Sequence, residues 1–265
     1  MTIMTTWDMT FRALPGIGLI QRGADLAAVI AGAAEADRFT LASGDVIVVA
    51  QKIVSKAEGR VVNLADVVPT QRALRLGERT GRDPRLCQLY LDESAAIIDV
   101  NGRHVVTVDR RGLHGTGAGV DMSNIGPRAD GWAVLLPEEP DQSARTIRDG
   151  IRERTGATVA VIVSDSFGSP FREGAIGAAI GIAGIRHLEE PDDDKDLFDN
   201  ASKPVMNRVD EIAAAASILM GQTAAGRPVI IGRGLPYTCD EHSSLTKLLA
   251  PTTMPDTDYD LRADA

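Results

Sequence analysis

Three stretches of the chain are apolar at every position: Val46–Ala50, Val159–Val163 and Val229–Ile231. Runs of this length without polar alternation predict strands buried on both faces. Other segments carry apolar residues three and four positions apart, which predicts helices. One spans Leu26 to Ala36, capped by Asp25, with Leu26, Val29, Ile30 and Ala33 on one face. Gln71 to Arg79 forms a second, and Arg85 to Ser94 a third, with Asp83 as its cap and Pro84 at its first position. Ser143 to Thr155 places Ile147 and Ile151 inward and Arg145, Arg148, Arg152 and Arg154 on a solvated face. Glu211 to Gly221, capped by Asp210, carries a stripe of Ile212, Ala216 and Leu219. Asn101-Gly102 reads as a hairpin turn between Ala95–Val100 and His104–Asp109, and a short strand begins at Phe11. Strands mixed with helices in this way predict an α/β (mixed α+β) fold. Small residues recurring from Gly174 to Ile185 predict close packing against a neighbouring element. Residues 1–250 read as one functional unit, with room for two lobes, and residues 251–265 as a loosely held tail. The acidic stretch Leu188 to Asn200 reads as a solvated segment, with a lid as the alternative.

Composition narrows the function. The 265 residues carry a net charge of −9 and no block of Lys or Arg, which argues against a nucleic-acid or anionic-membrane surface. A nucleotide can still be held by a few local groups. Cys87 and Cys239 fit no zinc-binding spacing and read as reduced thiols. No apolar stretch approaches the ~18 residues of a membrane span. Met1 to Thr10 lacks the features of a signal peptide, so a cytoplasmic protein is expected.

The candidate chemistry gathers at the ends of the apolar runs. The run from Val159 stops at Ser164-Asp165-Ser166-Phe167-Gly168. Ligands in open α/β sheets lie outside the carboxyl ends of strands, so Asp165 is expected to hold a divalent metal at a cleft. After Ala50 come Lys52 and Lys56, four apart on an expected loop, able to reach phosphate oxygens or simply solvated. No Walker A loop occurs. Pro15-Gly16-Ile17-Gly18 is either a plain turn or a place where backbone meets ligand. Gly115, Gly117 and Gly119 require close approach of another backbone or a ligand, and lead into Asp121 and Asn124. That pair suits a hard metal and a base or ribose, or equally an Asx turn. Asp92-Glu93 opposes its helix dipole, which solvent exposure or else a partner from outside the helix would explain, and Asp240-Glu241-His242 point divergently and read as surface.

Taken in order, five segments resemble the coenzyme F420-0:L-glutamate ligase family. They are Leu14 to Ile20, Ile53 to Arg60, Ala118 to Asn124, Val163 to Gly168 with Phe171-Arg172-Glu173-Gly174, and Asp210 to Gln222. The resemblance implies a GTP-dependent, peptide-bond-forming ligase using Mg2+ or Mn2+, two divalent ions in all, often with K+. It implies that GTP activates the terminal carboxylate of a deazaflavin coenzyme precursor, and that L-glutamate then attacks, with a second, γ-linked glutamate able to follow. It implies a family-specific fold of mixed sheets and flanking helices, forming an intertwined homodimer. By position, Pro15, Gly16, Ile17 and Gly18 match a nucleotide-lining loop, and Gln51 and Lys56 the phosphate side. Asn124, Met220, Gly221, Gln222 and Gly226 match further nucleotide contacts, and Asp121, Asp165, Ser166 and Gln222 match metal ligands. Gln222 departs from the Glu of some members, and Leu235 to His242 matches no family segment. The alternatives are a γ-glutamyl ligase acting on a folate-like acceptor and a nucleotide- and metal-binding module without catalysis.

Overall fold

The computed structural model describes residues 8–126, 131–169, 172–190 and 195–245. The expected tail 251–265, Phe171 and residues 191–194 of the acidic stretch lie outside the described residues. Its main sheet has five strands: β1 (Thr10–Ala13), β2 (Val46–Ala50), β8 (Ala160–Ser169), β9 (Arg172–Ala183) and β10 (Val229–Arg233). They run in the order β1-β10-β2-β8-β9, and only β2 and β8 are parallel. The apolar runs are continuous because alternate residues enter two different cores. Ile47, Val49, Val161, Val163 and Ile231 face α1 (Leu26–Ala36) and α5 (Pro140–Thr155). Val46, Val48, Ile162 and Ile230 face α6 (Arg208–Met220). A fully buried side chain of this size contributes roughly 1.5–3 kcal/mol, so these two faces dominate the stability of this sheet.

A third core lies beside that sheet. It joins α3 (Gln71–Thr80) and α4 (Pro84–Glu93) to β3 (Val61–Asn63), β7 (Trp132–Val134) and the hairpin β4 (Ser94–Asn101) and β5 (His104–Asp109), through Leu64, Leu76, Leu86, Tyr90, Ile97 and Val105. The short β6 (His114–Thr116) pairs with β5. The architecture is mixed α/β, and no described helix is long and apolar enough to cross a membrane.

Several expectations are corrected. The segment after β2 is not a loop but α2 (Gln51–Glu58), ended by Gly59 in the left-handed conformation at φ 76°. Polar residues at 51, 52, 55 and 56 obscured its period, although Gln51, Ile53, Val54 and Ser55 are buried. The cap of α6 is Asn207, whose side chain accepts from the Asp210 amide; Asp210 instead accepts from the amide of Ala179 on β9 at 2.7 Å. Arg148 is buried rather than solvated, beside Asp149 and Glu241. Glu93 is not exposed: it pairs with Arg60 at 2.7 Å in a buried network that includes Arg111 and Asp109. That internal partner offsets the helix-dipole conflict at the end of α4.

The glycine runs resolve as packing. A Cβ on Gly177 or Gly181 would collide with the backbone of α6 or α5 respectively. The protein neighbours of Gly115, Gly117 and Gly119 are side chains, Phe167, Tyr90 and Leu136, rather than the expected backbone.

Candidate active site

The parallel pair builds the centre of the site. Its register sets Ala50 beside Ser164, so the next residues, Gln51 and Asp165, are neighbours. The strand does not stop at Asp165 as expected. It continues to Ser169, paired with β9, so Asp165 sits on the β8–β9 ladder opposite Ala178. The register shift between Val163 and Ser164 breaks the regular alternation just before it.

Asp121 reaches this point from the other side. Gly117, Ala118 and Gly119 all adopt positive φ, at 58°, 50° and 71°, coiling the chain tightly after β6. Thr107 Oγ1 accepts the Ala118 amide at 2.9 Å and fixes the coil. The chain then bridges to Val134 at Asp121. The carboxylate accepts the Ser123 amide at 2.6 Å, closing an Asx turn, so the structural alternative for this segment is realised while Asp121 still lines the cleft.

Helix α2 brings its two lysines to that turn. Lys52 Nζ lies 2.6 Å from Asp121 Oδ2 and donates to Ser123 Oγ at 2.6 Å. Lys56, one turn on, donates to the carbonyl oxygen of Asn124 at 2.6 Å. Asn124, at φ 54°, donates through Nδ2 to Thr223 O at 3.0 Å, tying the turn to the loop after α6. Ser166 Oγ donates to Gln222 Oε1 at 2.7 Å. Four segments far apart in sequence thus converge on one cleft of about 780 Å3.

Of the residues expected at the site, Ile17, Gly18, Gln51, Lys56, Asp121, Asn124, Asp165, Ser166, Met220, Gly221, Gln222 and Gly226 line this cleft. Pro15 and Gly16 do not; both are exposed outside it. Sequence reasoning did not bring in Ser123 or Arg227, which also line it. Arg227 adjoins Gly226, so its place in the same loop was the available signal.

Electrostatics separate the two carboxylates. Burial pushes Asp165 up to about 6; hydrogen bonds from the Ser166 amide and Gln51 and the charge of Lys52 oppose this, whereas the negative charge of Asp121 adds to it. Burial also acts on Asp121, but Lys52 and Ser123 outweigh it and hold that carboxyl below its ordinary value. Lys56 is lowered, first by burial and then by Lys52. Asp121 therefore has a cation of its own and Asp165 is left under-compensated.

No cluster of three or more His, Cys, Asp or Glu occurs among the described residues. The donor set is two carboxylates with the neutral oxygens of Ser166 and Gln222 beside them. All are hard oxygen ligands, which fits Mg2+ or Mn2+ sharing its shell with phosphate and water rather than an all-protein cage.

The profile of the F420-0:gamma-glutamyl ligase family matches residues 16–234. A coenzyme F420:L-glutamate ligase of Methanothermobacter thermautotrophicus is 42% identical over 223 residues, 84% of this chain and 87% of that protein. One of Methanopyrus kandleri is 42% identical over 82% of this chain and 83% of its own length. One of Methanosarcina acetivorans is 36% identical over 91% and 92% respectively. With that match spanning both halves of the cleft, the chain belongs to the F420-0:gamma-glutamyl ligase family.

Proposed function

We propose that the protein is a GTP-dependent ligase that joins L-glutamate to the terminal carboxylate of a deazaflavin coenzyme precursor. The observation that carries this reading is the convergence of Asp121, Asp165, Gln51, Lys56, Asn124 and Gln222 in one cleft at the carboxyl end of the only parallel strand pair among the described residues. The names of the relatives supply the acceptor and the amino acid.

The phosphates of GTP fit the start of α2. Its N-cap, Ala50, has no side-chain cap bond and its first turn carries no acid, so its amides are available to an anion. Lys56 adds fixed positive charge on the same helix. Mg2+ or Mn2+ held by Asp121 and Asp165, near Ser166 and Gln222, would draw charge from the phosphate oxygens. The acceptor carboxylate attacks the γ-phosphorus, the bond to the β-phosphate oxygen breaks, and GDP leaves an acyl phosphate. The amine of L-glutamate, having given a proton to solvent, attacks the acyl carbon. The carbon–oxygen bond to phosphate breaks, the nitrogen gives up its second proton to the departing phosphate, and an amide remains. Phosphoryl transfer of this kind depends on positioning and charge neutralisation, so no protein nucleophile is required.

Incubation with GTP, Mn2+, L-glutamate and the coenzyme precursor is expected to yield a glutamyl adduct by mass spectrometry, with GDP released in step. No adduct, beside an active relative under the same conditions, would overturn the reading. Lys56→Gln is expected to weaken GTP binding about tenfold or more, the scale of one charge-assisted hydrogen bond. The check is the rise in melting temperature on adding GTP with Mn2+. An undiminished rise would remove Lys56 from the nucleotide site.

A further inference from the structure

A second cavity, of about 460 Å3, adjoins the cleft; Thr116, Val120, Asp121 and Ser123 line both. Its character differs. Arg82, from the turn between α3 and α4, and Arg103 and His104, from the tip of the β4–β5 hairpin, line it, and Asp121 is its only acid among the described residues. Lys52 already neutralises that acid. Arg82 Nε donates to the Arg103 carbonyl oxygen at 2.7 Å, joining the two turns, and its guanidinium lies 5.9 Å from the centre of the Tyr90 ring. Among the described residues neither Arg82 nor Arg103 has a carboxylate partner. Two guanidinium groups with no carboxylate partner among the described residues thus face one cavity, where they can take an anion. Leu86, Tyr90, Val105 and Met122 give the same cavity an apolar lining.

We infer that this cavity binds the anionic end of an acidic co-substrate and points its reacting group at the shared edge beside Asp121. The inference rests on the ligase reading above and extends it to a second subsite. Guanidinium forks suit carboxylate and phosphate oxygens, and the apolar lining suits a carbon skeleton between the anion and the reacting group. The anion belongs either to the carboxylates of L-glutamate or to an acidic group of the acceptor.

Arg103→Gln tests this without disturbing the turn, because the Arg82 bond is made to the backbone of residue 103. Steady-state ligation, varying each co-substrate in turn, is expected to show a KM raised about tenfold or more for one of them. A rise for L-glutamate alone assigns its carboxylates to the cavity; a rise for the acceptor alone assigns the acceptor's acidic group. Arg103→Lys is expected to recover part of the loss, as a purely structural role for the side chain would not predict. The melting shift produced by GTP with Mn2+ should persist in both variants, showing that the fold and the nucleotide cleft are intact. Both KM values within twofold of an active wild type would overturn the inference alone. A wild type that does not ligate is a separate result, which removes the ligase reading and this one with it.

Discussion

Asp165→Asn should abolish ligation and yet make the metal-free protein harder to melt. The carboxylate is partly buried on a sheet ladder beside Asp121, and its pKa is pushed up to about 6, first by burial. Ionising it at neutral pH therefore works against the fold. The sign follows from linkage. A carboxyl raised in the folded state above its unfolded value of roughly 3.9 carries no penalty below that value. The penalty grows between about pH 4 and 6 and is complete above. Two pH units correspond to roughly 3 kcal/mol, and partial access of solvent leaves about 1–2 kcal/mol. For a chain of this size that is a gain of several degrees in melting temperature. Thermal scans with EDTA should show the variant above wild type at pH 7.5 and level with it near pH 4. Adding Mn2+ and GTP should reverse the order, because on the proposed reading Asp165 helps to hold the ion. Turnover should fall about a thousandfold or more, since on the proposed reading the divalent ion that offsets charge on the phosphoryl group loses a ligand. A variant no more stable than wild type at pH 7.5 would mean that Asp165 is not held under electrostatic strain.

Asp165 also marks what the amino-acid sequence makes legible. Its chemistry could be read from a carboxylate at the end of an apolar run, but its setting could not. The run continues as a hairpin because Ser166 to Gly168 pair with β9, and nothing local distinguishes that from a strand end. The helices α1, α3 and α4 follow their caps closely, since Asp25, Thr70 and Asp83 accept amide bonds within their own first turns. Helix α2 was hidden because its half-buried lysines and buried Gln51 and Ser55 share one short stretch. The buried polar residues serve the site: Ser55 Oγ donates to Gln51 Oε1 at 2.8 Å, and Gln51 in turn bonds to Asp165. Similarly, Glu93 could not be assigned a partner because Arg60 lies 33 positions away in sequence. Long-range pairing, not local propensity, decides such groups.

The coil at Gly117–Gly119 leads to the second large effect, for Gly119→Ala. This residue has φ 71°, and a Cβ there would stand 2.6 Å from both Cγ and Cδ1 of buried Leu136. The left-handed backbone alone costs an alanine roughly 1–2 kcal/mol. The collision adds to it, because Leu136 is held in the core with Leu113 and cannot swing away freely. The total is about 2–4 kcal/mol, visible as a fall in melting temperature. The functional loss should be larger than the stability loss. Relief by moving the backbone shifts Val120 and Asp121, two residues on, and Asp121 both pairs with Lys52 and lines the cleft. Displacing a positioning group by about 1 Å can cost a hundredfold in rate. A second substitution separates the two causes. Leu136→Ala in the Gly119→Ala background removes the collision but opens a cavity, so it should recover activity while lowering stability further. Activity that stays low in the double variant would show that backbone strain, rather than displacement by Leu136, is what disables Asp121. Wild-type activity in Gly119→Ala itself would show that the coil does not position Asp121 at all.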